Sequence, residues 1–126
     1  METAMKQVAK TLYEFWNSFG IPAYPEYSVP DEATLPYITY EVKQPNWRGV
    51  ASYSAIVWYQ DTSFESIANT VDAISTAIGE GKRLVMDDGY LYLFKEDLFV
   101  QMQPQSAEGD ENMKVAYLSM NIHVLA

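Results

Sequence analysis

The chain contains no cysteine and a single histidine, and these two absences remove most of the common site chemistries at once. Without cysteine there is no disulfide, no thiolate metal ligand and no cysteine nucleophile. With His123 alone there is no histidine pair and no His-based metal cluster. Basic residues are also scarce, eight against seventeen acidic, for a formal charge of −9. Such a surface repels phosphate backbones and argues against ordinary nucleic-acid binding. No apolar run approaches the roughly 20 residues that a bilayer-spanning helix needs. Lys6 and Lys10 lie inside a helical pattern rather than ahead of an apolar block, so the first residues do not read as a signal peptide. The glycines show no phosphate-cradling spacing, and no G-x-S-x-G nucleophile elbow occurs. The expectation is a cytosolic, membrane-free protein with no catalytic residues, no cofactor and no metal site.

What is present is a chain of 126 residues, 48% apolar, enough for one core and one domain over 1–126. Over residues 3–19 the apolar positions Met5, Val8, Ala9, Leu12, Phe15, Trp16 and Phe19 form a helical stripe. Lys6, Gln7, Lys10, Glu14 and Asn17 fall on the other side. Gly20 stands where a left-handed cap ends a helix, with Pro22 just beyond. A crossing with Pro22, Pro25 and Pro30 carries Tyr24 and Tyr27 and is expected to pack along the domain surface. Leu35-Pro36-Tyr37-Ile38-Thr39-Tyr40-Glu41-Val42 then reads as a proline-started strand over 37–42. A second strand, over 51–60, is apolar on both faces, with Tyr53, Ala55, Val57 and Tyr59 on one and Ile56 and Trp58 on the other. It is therefore central, or it touches another subunit.

Thr62 with Glu65 spells a capping box ahead of a helix over 63–78, whose stripe is Phe64, Ile67, Ala68, Val71, Ile74, Ala77 and Ile78. Short strands over 83–86 and 90–94 flank Asp87-Asp88-Gly89, which is a hairpin signal before it is half a metal loop. A strand over 98–103 pairs with a last strand over 113–125. In that strand Ala116, Leu118, Met120, Ile122 and Val124 point inward, and Tyr117, Ser119, Asn121 and His123 outward. The predicted fold is α+β, an antiparallel or mixed sheet with two main helices packed on one face.

Two features invite a partner. Aromatic residues make up 14% of the chain, with Trp47 in a proline-broken loop and tyrosines on both strand faces, and interfaces favour such residues. The loops over 43–49 and 105–112 can reach a neighbour, the second through an acidic tip at Glu108, Asp110 and Glu111.

The helix ending at Gly20-Ile21-Pro22, the string Leu35-Pro36-Tyr37-Ile38-Thr39-Tyr40, the aromatic strand before the second helix and the long alternating final strand together resemble the tail terminator or tail completion family of long-tailed phages and prophages, including small head–tail joining proteins. The resemblance implies a structural virion protein whose subunits close into a ring, usually a hexamer, at the head-proximal end of the tail. Such a ring ends tube polymerisation and joins tail to head. Implied partners are other copies, the tail tube protein and a head–tail connector protein, with DNA passing through unbound. The location is the virion, and the host cytoplasm during assembly. In that setting Trp47, Arg48, Glu108, Asp110 and Glu111 are the expected interface residues. Two alternatives stand beside it: an acidic immunity or anti-restriction protein that masks a basic enzyme surface, and a small ligand-binding or enzymatic α+β domain with a pocket between helix and sheet.

Overall fold

A computed structural model describes residues 4–45, 49–104 and 112–125. Helix α1 (Ala4–Trp16) forms as its stripe predicts: Val8, Leu12, Phe15 and Trp16 are buried, while Met5, at the stripe's start, is 40% exposed. A single 3₁₀ turn, Asn17–Phe19, follows and stops at Gly20, whose φ of +85° is the left-handed geometry that glycine adopts without cost.

The proline-rich crossing does more than cover the surface. Ala23–Pro25 forms a short strand β1, parallel to β2 (Tyr37–Tyr40). Strand β2 ends two residues before the sequence pattern does, although Glu41 still bonds Ser54, and Lys43 bonds Ser52, of the next strand, β3 (Val50–Gln60). Helix α2 (Glu65–Ile78) buries Ile67, Val71, Ile74 and Ile78. Its start corrects the capping-box expectation: Phe64 is the N-cap and makes no side-chain cap bond. Ser63 Oγ instead accepts from the Glu65 N–H at 3.3 Å. Strand β4 (Lys82–Met86) and β5 (Gly89–Pro104) meet at a two-residue Asp87-Asp88 turn, with Met86 opposite Gly89. Strand β6 (Met113–Leu125) follows.

These strands make one six-stranded mixed sheet in the order β1-β2-β3-β6-β5-β4, antiparallel throughout except for β1 with β2. Both helices pack on the same face, α2 over β3, β6 and β5, and α1 towards the two edges at β1 and β4. Two-residue alternation supplies the inner face: Tyr53, Ala55 and Val57 of β3 lie level with Met120, Leu118 and Ala116 of β6 and are buried with them. Leu12, Phe15, Val71, Ile74, Leu118, Met120 and Ile122 all lie in this core, as the stripes predict.

Two strands expected separately over 90–94 and 98–103 are one strand, β5, with an irregularity inside it. Lys95 pairs with Met120 and Val100 with Leu118, so residues 96–99 stand opposite Ser119 alone. The break re-aims the distal half of β5 without ending its pairing with β6.

Candidate interaction face

The sheet face turned away from the helices is built from the alternate positions of the same strands. Tyr24, Tyr37 and Thr39 come from β1 and β2, and Ser52, Ser54, Ile56 and Trp58 from β3. Val115, Tyr117, Ser119, Asn121 and His123 come from β6, and Tyr90, Tyr92 and Phe94 from β5. Most of these residues are half-buried. Their rings form two groups: Tyr24 against Tyr37 at 5.8 Å and Tyr37 against Trp58 at 6.3 Å, and, across a strip of small polar side chains, Tyr92 against Phe94 at 6.0 Å. The Trp58 Nε1–H donates to Thr39 Oγ1 at 2.9 Å, which fixes the indole across β2. Val115, opposite Trp58, is fully buried although no helix covers it. Tyr92 lies close over Gly81, so a Cβ there would push the outer atoms of the ring aside.

No carboxylate occupies any of these positions, in a chain with seventeen acidic residues. Charge enters at the margins. Arg83 of β4 stacks over the Tyr90 ring at 5.4 Å. Glu41 and Lys43 pair at 2.7 Å where β2 leaves the sheet. Burial raises the Glu41 pKa, but hydrogen bonds from Lys43 and Ser54 outweigh it and hold the carboxyl below its ordinary value. His123 also sits on this face, between Val50 and Tyr92. Its Nε2 is buried with no hydrogen-bond partner.

The expected interface residues Trp47, Arg48, Glu108, Asp110 and Glu111 lie outside the described residues. The strands that carry their loops are described, and they set a constraint. The 46–48 loop leaves from the end of the sheet where Val50 pairs with His123, and the 105–111 loop from the end where Gln60 pairs with Met113. Ten residues of β6 separate those levels, roughly 33 Å at 3.3 Å per residue. One chain does not bring the bases of the two loops together.

Concavities are modest. One of about 160 Å³ lies between α1 and β4, lined by Gln7, Lys10, Thr11, Glu14 and residues of the hairpin. An open depression of about 460 Å³ lies beside the irregularity in β5, between Phe94, Asn121 and Leu98. Among the described residues no group of three or more His, Asp or Glu could hold a metal ion, and no helix is long and apolar enough to cross a membrane.

Sequence patterning missed several polar anchors. Gln7, expected on the solvent side of α1, is 4% exposed. Its Nε2 donates to Asp88 Oδ2 at 3.1 Å, and its Oε1 accepts from the Asp88 N–H at 3.2 Å. Asn17, also expected outward, holds both backbone groups of Ala23, accepting at 2.9 Å and donating at 3.2 Å. Trp16 lies stacked against Tyr40 and Tyr53 and donates to the Tyr53 hydroxyl at 3.0 Å.

No family model matches this sequence, and no curated protein matches it. The fold is similar to that of a chain in the virion of a native gene transfer agent particle, with a TM-score of 0.63 and 16% identity over 96% of this chain and 93% of that one. At that identity the likeness is one of fold.

Proposed function

We propose that this chain is a structural virion protein of a phage or prophage, one tail-terminator-like domain acting as a ring subunit at the head-proximal end of the tail. The ring, a hexamer in the family the sequence resembles, ends tube polymerisation and joins tail to head. Its partners are further copies, the tail tube protein and a head–tail connector protein. It is made in the host cytoplasm, ends in the virion and performs no catalysis.

The observation that carries this reading is a nearly end-to-end likeness of fold to a chain that works inside a virion particle. The open sheet face supports it. Copies that each carry −9 repel one another, so subunits pack most readily where carboxylates are absent or paired with a cation, and half-buried aromatics are what such contacts use. A ring needs two different patches on each subunit, and Arg48 and the acidic residues Glu108, Asp110 and Glu111 carry opposite charges suited to pair between neighbours. The remaining acidic surface keeps DNA moving through the ring without sticking.

The test is assembly on purified tail tubes that lack their cap, comparing wild type with Trp47→Ala, Arg48→Glu and Tyr117→Ser. Capping by wild type and loss of capping in the variants is the expected result. Equal capping by all four places the contact elsewhere. No capping by wild type overturns the terminator reading and favours the acidic inhibitor, whose own test is binding to a basic restriction enzyme or toxin.

A further inference from the structure

We propose that the distal half of β5 is a self-pairing edge, by which two copies of this chain join in an antiparallel β5–β5 contact about a twofold axis at Met102. The sheet presents three strand edges, and the molecule treats them differently. At β1, Asn17 holds the N–H and C=O of Ala23, and Pro25 has no N–H to offer. At β4 the edge is five residues long, carries Lys82 and Arg83, and has α1 beside it. Short length, proline, charge and cover are the usual ways to stop edges from pairing. Strand β4 pairs only as far along β5 as Leu93. Beyond the irregularity, β5 from Val100 to Pro104 pairs with β6 on one side, and no other described element pairs with it on the other. That stretch is also five residues long and ends in Pro104, but it carries no charge, and among the described residues nothing pairs along that side.

The edge sequence Val100-Gln101-Met102-Gln103-Pro104 carries no charge in a strongly acidic chain. A basic partner would find nothing there to recognise, whereas a second acidic copy finds a place without repulsion. The pattern is also its own complement, alternating apolar and amide symmetrically about Met102. An antiparallel copy sets Val100 against Pro104, Gln101 against Gln103 and Met102 against itself, so apolar meets apolar on one face and amide meets amide on the other. Met102 is 42% exposed in the single chain, and the pairing gives it a partner. A twofold contact closes on itself, so it is distinct from the ring contact and does not depend on the terminator reading.

The absence of cysteine makes the test clean. Residues facing each other across an antiparallel pair have Cα atoms about 4.5–5.5 Å apart, inside the range of about 4.4–6.8 Å that a disulfide spans. Met102→Cys is therefore expected to give a disulfide-linked dimer rapidly under mild oxidation. Leu98→Cys is the control: it is 59% exposed, but its two copies would sit roughly 26 Å apart and should link slowly. By sedimentation, wild type is expected to form a dimer as concentration rises, and Met102→Lys to weaken it about tenfold or more by opposing two charges on the axis. Circular dichroism of the Met102→Lys monomer checks that it remains folded. A wild type that stays monomeric, an assembly unchanged by Met102→Lys, or equal linking rates at 98 and 102 overturns the proposal.

Discussion

The two faces of the sheet are made by the same strands, one residue out of phase, yet they obey different rules. The helix-side face is aliphatic and closed: Val57, Leu93, Leu118, Met120 and Ile122 are fully buried. Tyr40 and Tyr53 on that side stack on Trp16, which donates to the Tyr53 hydroxyl, and Tyr59 hydrogen-bonds Thr70 of α2. The far face is aromatic and open, its polar positions filled by serine, threonine and asparagine rather than by charge. A closed face selects residues that fill space within one chain. An open face whose strand positions hold no carboxylate, with Glu41 reaching in from the margin to Ser54, selects residues that tolerate water until something else arrives.

The sharpest way to test the contrast is truncation on each side of one strand. Leu118→Ala is expected to cost about 2–5 kcal/mol in urea denaturation, the usual range for a buried leucine whose cavity cannot collapse. Its neighbour Tyr117→Ser, on the other face, should cost no more than about 1 kcal/mol while reducing assembly. Equal costs would erase the distinction.

The buried tyrosines give a second contrast through pH. Burial favours the neutral phenol, and it pushes Tyr40 up to about 12. It also pushes Tyr53 well above its ordinary value of 10.0, against the opposing hydrogen bond from Trp16. A folded-state pKa above the unfolded one means that stability is full below pH 10 and lost as pH rises towards the folded value. The expected loss is about 1.4 kcal/mol per pH unit for each such ring. Stability measured from pH 9 to 12 should fall with that slope, and Tyr40→Phe should flatten it.

Tyr53→Phe strands the Trp16 indole N–H in the core and is expected to cost about 1–3 kcal/mol at neutral pH, read from the shift in denaturation midpoint. The smallest effect belongs to the margin of the open face. Glu41→Gln should cost about 0.5 kcal/mol. Because the Glu41 pKa is lowered by folding, its contribution is present above the ordinary value of 4.5 and disappears as pH falls below it. A variant whose acid sensitivity matches wild type would show that the Lys43 and Ser54 bonds contribute nothing.

Much of the closed face was legible in the sequence because it rests on periodicity. The alternation from Ala116 to Val124 and the stripe from Val8 to Trp16 place each residue by local spacing alone. The features that escaped are set by distant partners. Gln7 is polar and sits between lysines, and its bonds to Asp88, far along the chain, help make its burial acceptable. Strand β1 is three residues long and contains a proline, so no local signal marks it. It exists because Asn17 and β2 hold it. The Thr62–Glu65 pattern failed because Ser63 and Asp61 supply competing local acceptors. The open face was half visible: apolar residues on both sides of the 51–60 strand placed that strand centrally, as it is. The exclusion of carboxylates became evident only when β5 and β6 were set beside it.

The position of β6 has a consequence in time as well as in space. It is the last strand in chain order, yet it lies between β3 and β5 and pairs with both over most of its length. On a ribosome that releases the chain from its N-terminal side, β1 to β3 and the β4–β5 hairpin emerge as two separate pieces with a gap where β6 belongs. Neither piece has a complete face for a helix to cover, and no native pairing joins them until residues 113–125 are free of the exit tunnel. Completion must therefore follow translation of that segment rather than keep pace with synthesis, and a polysome displays many such half-built sheets side by side. Mutual repulsion among acidic chains opposes their association during that interval, so substitutions that neutralise surface carboxylates should lower the yield of soluble protein more than they lower the stability of the finished fold.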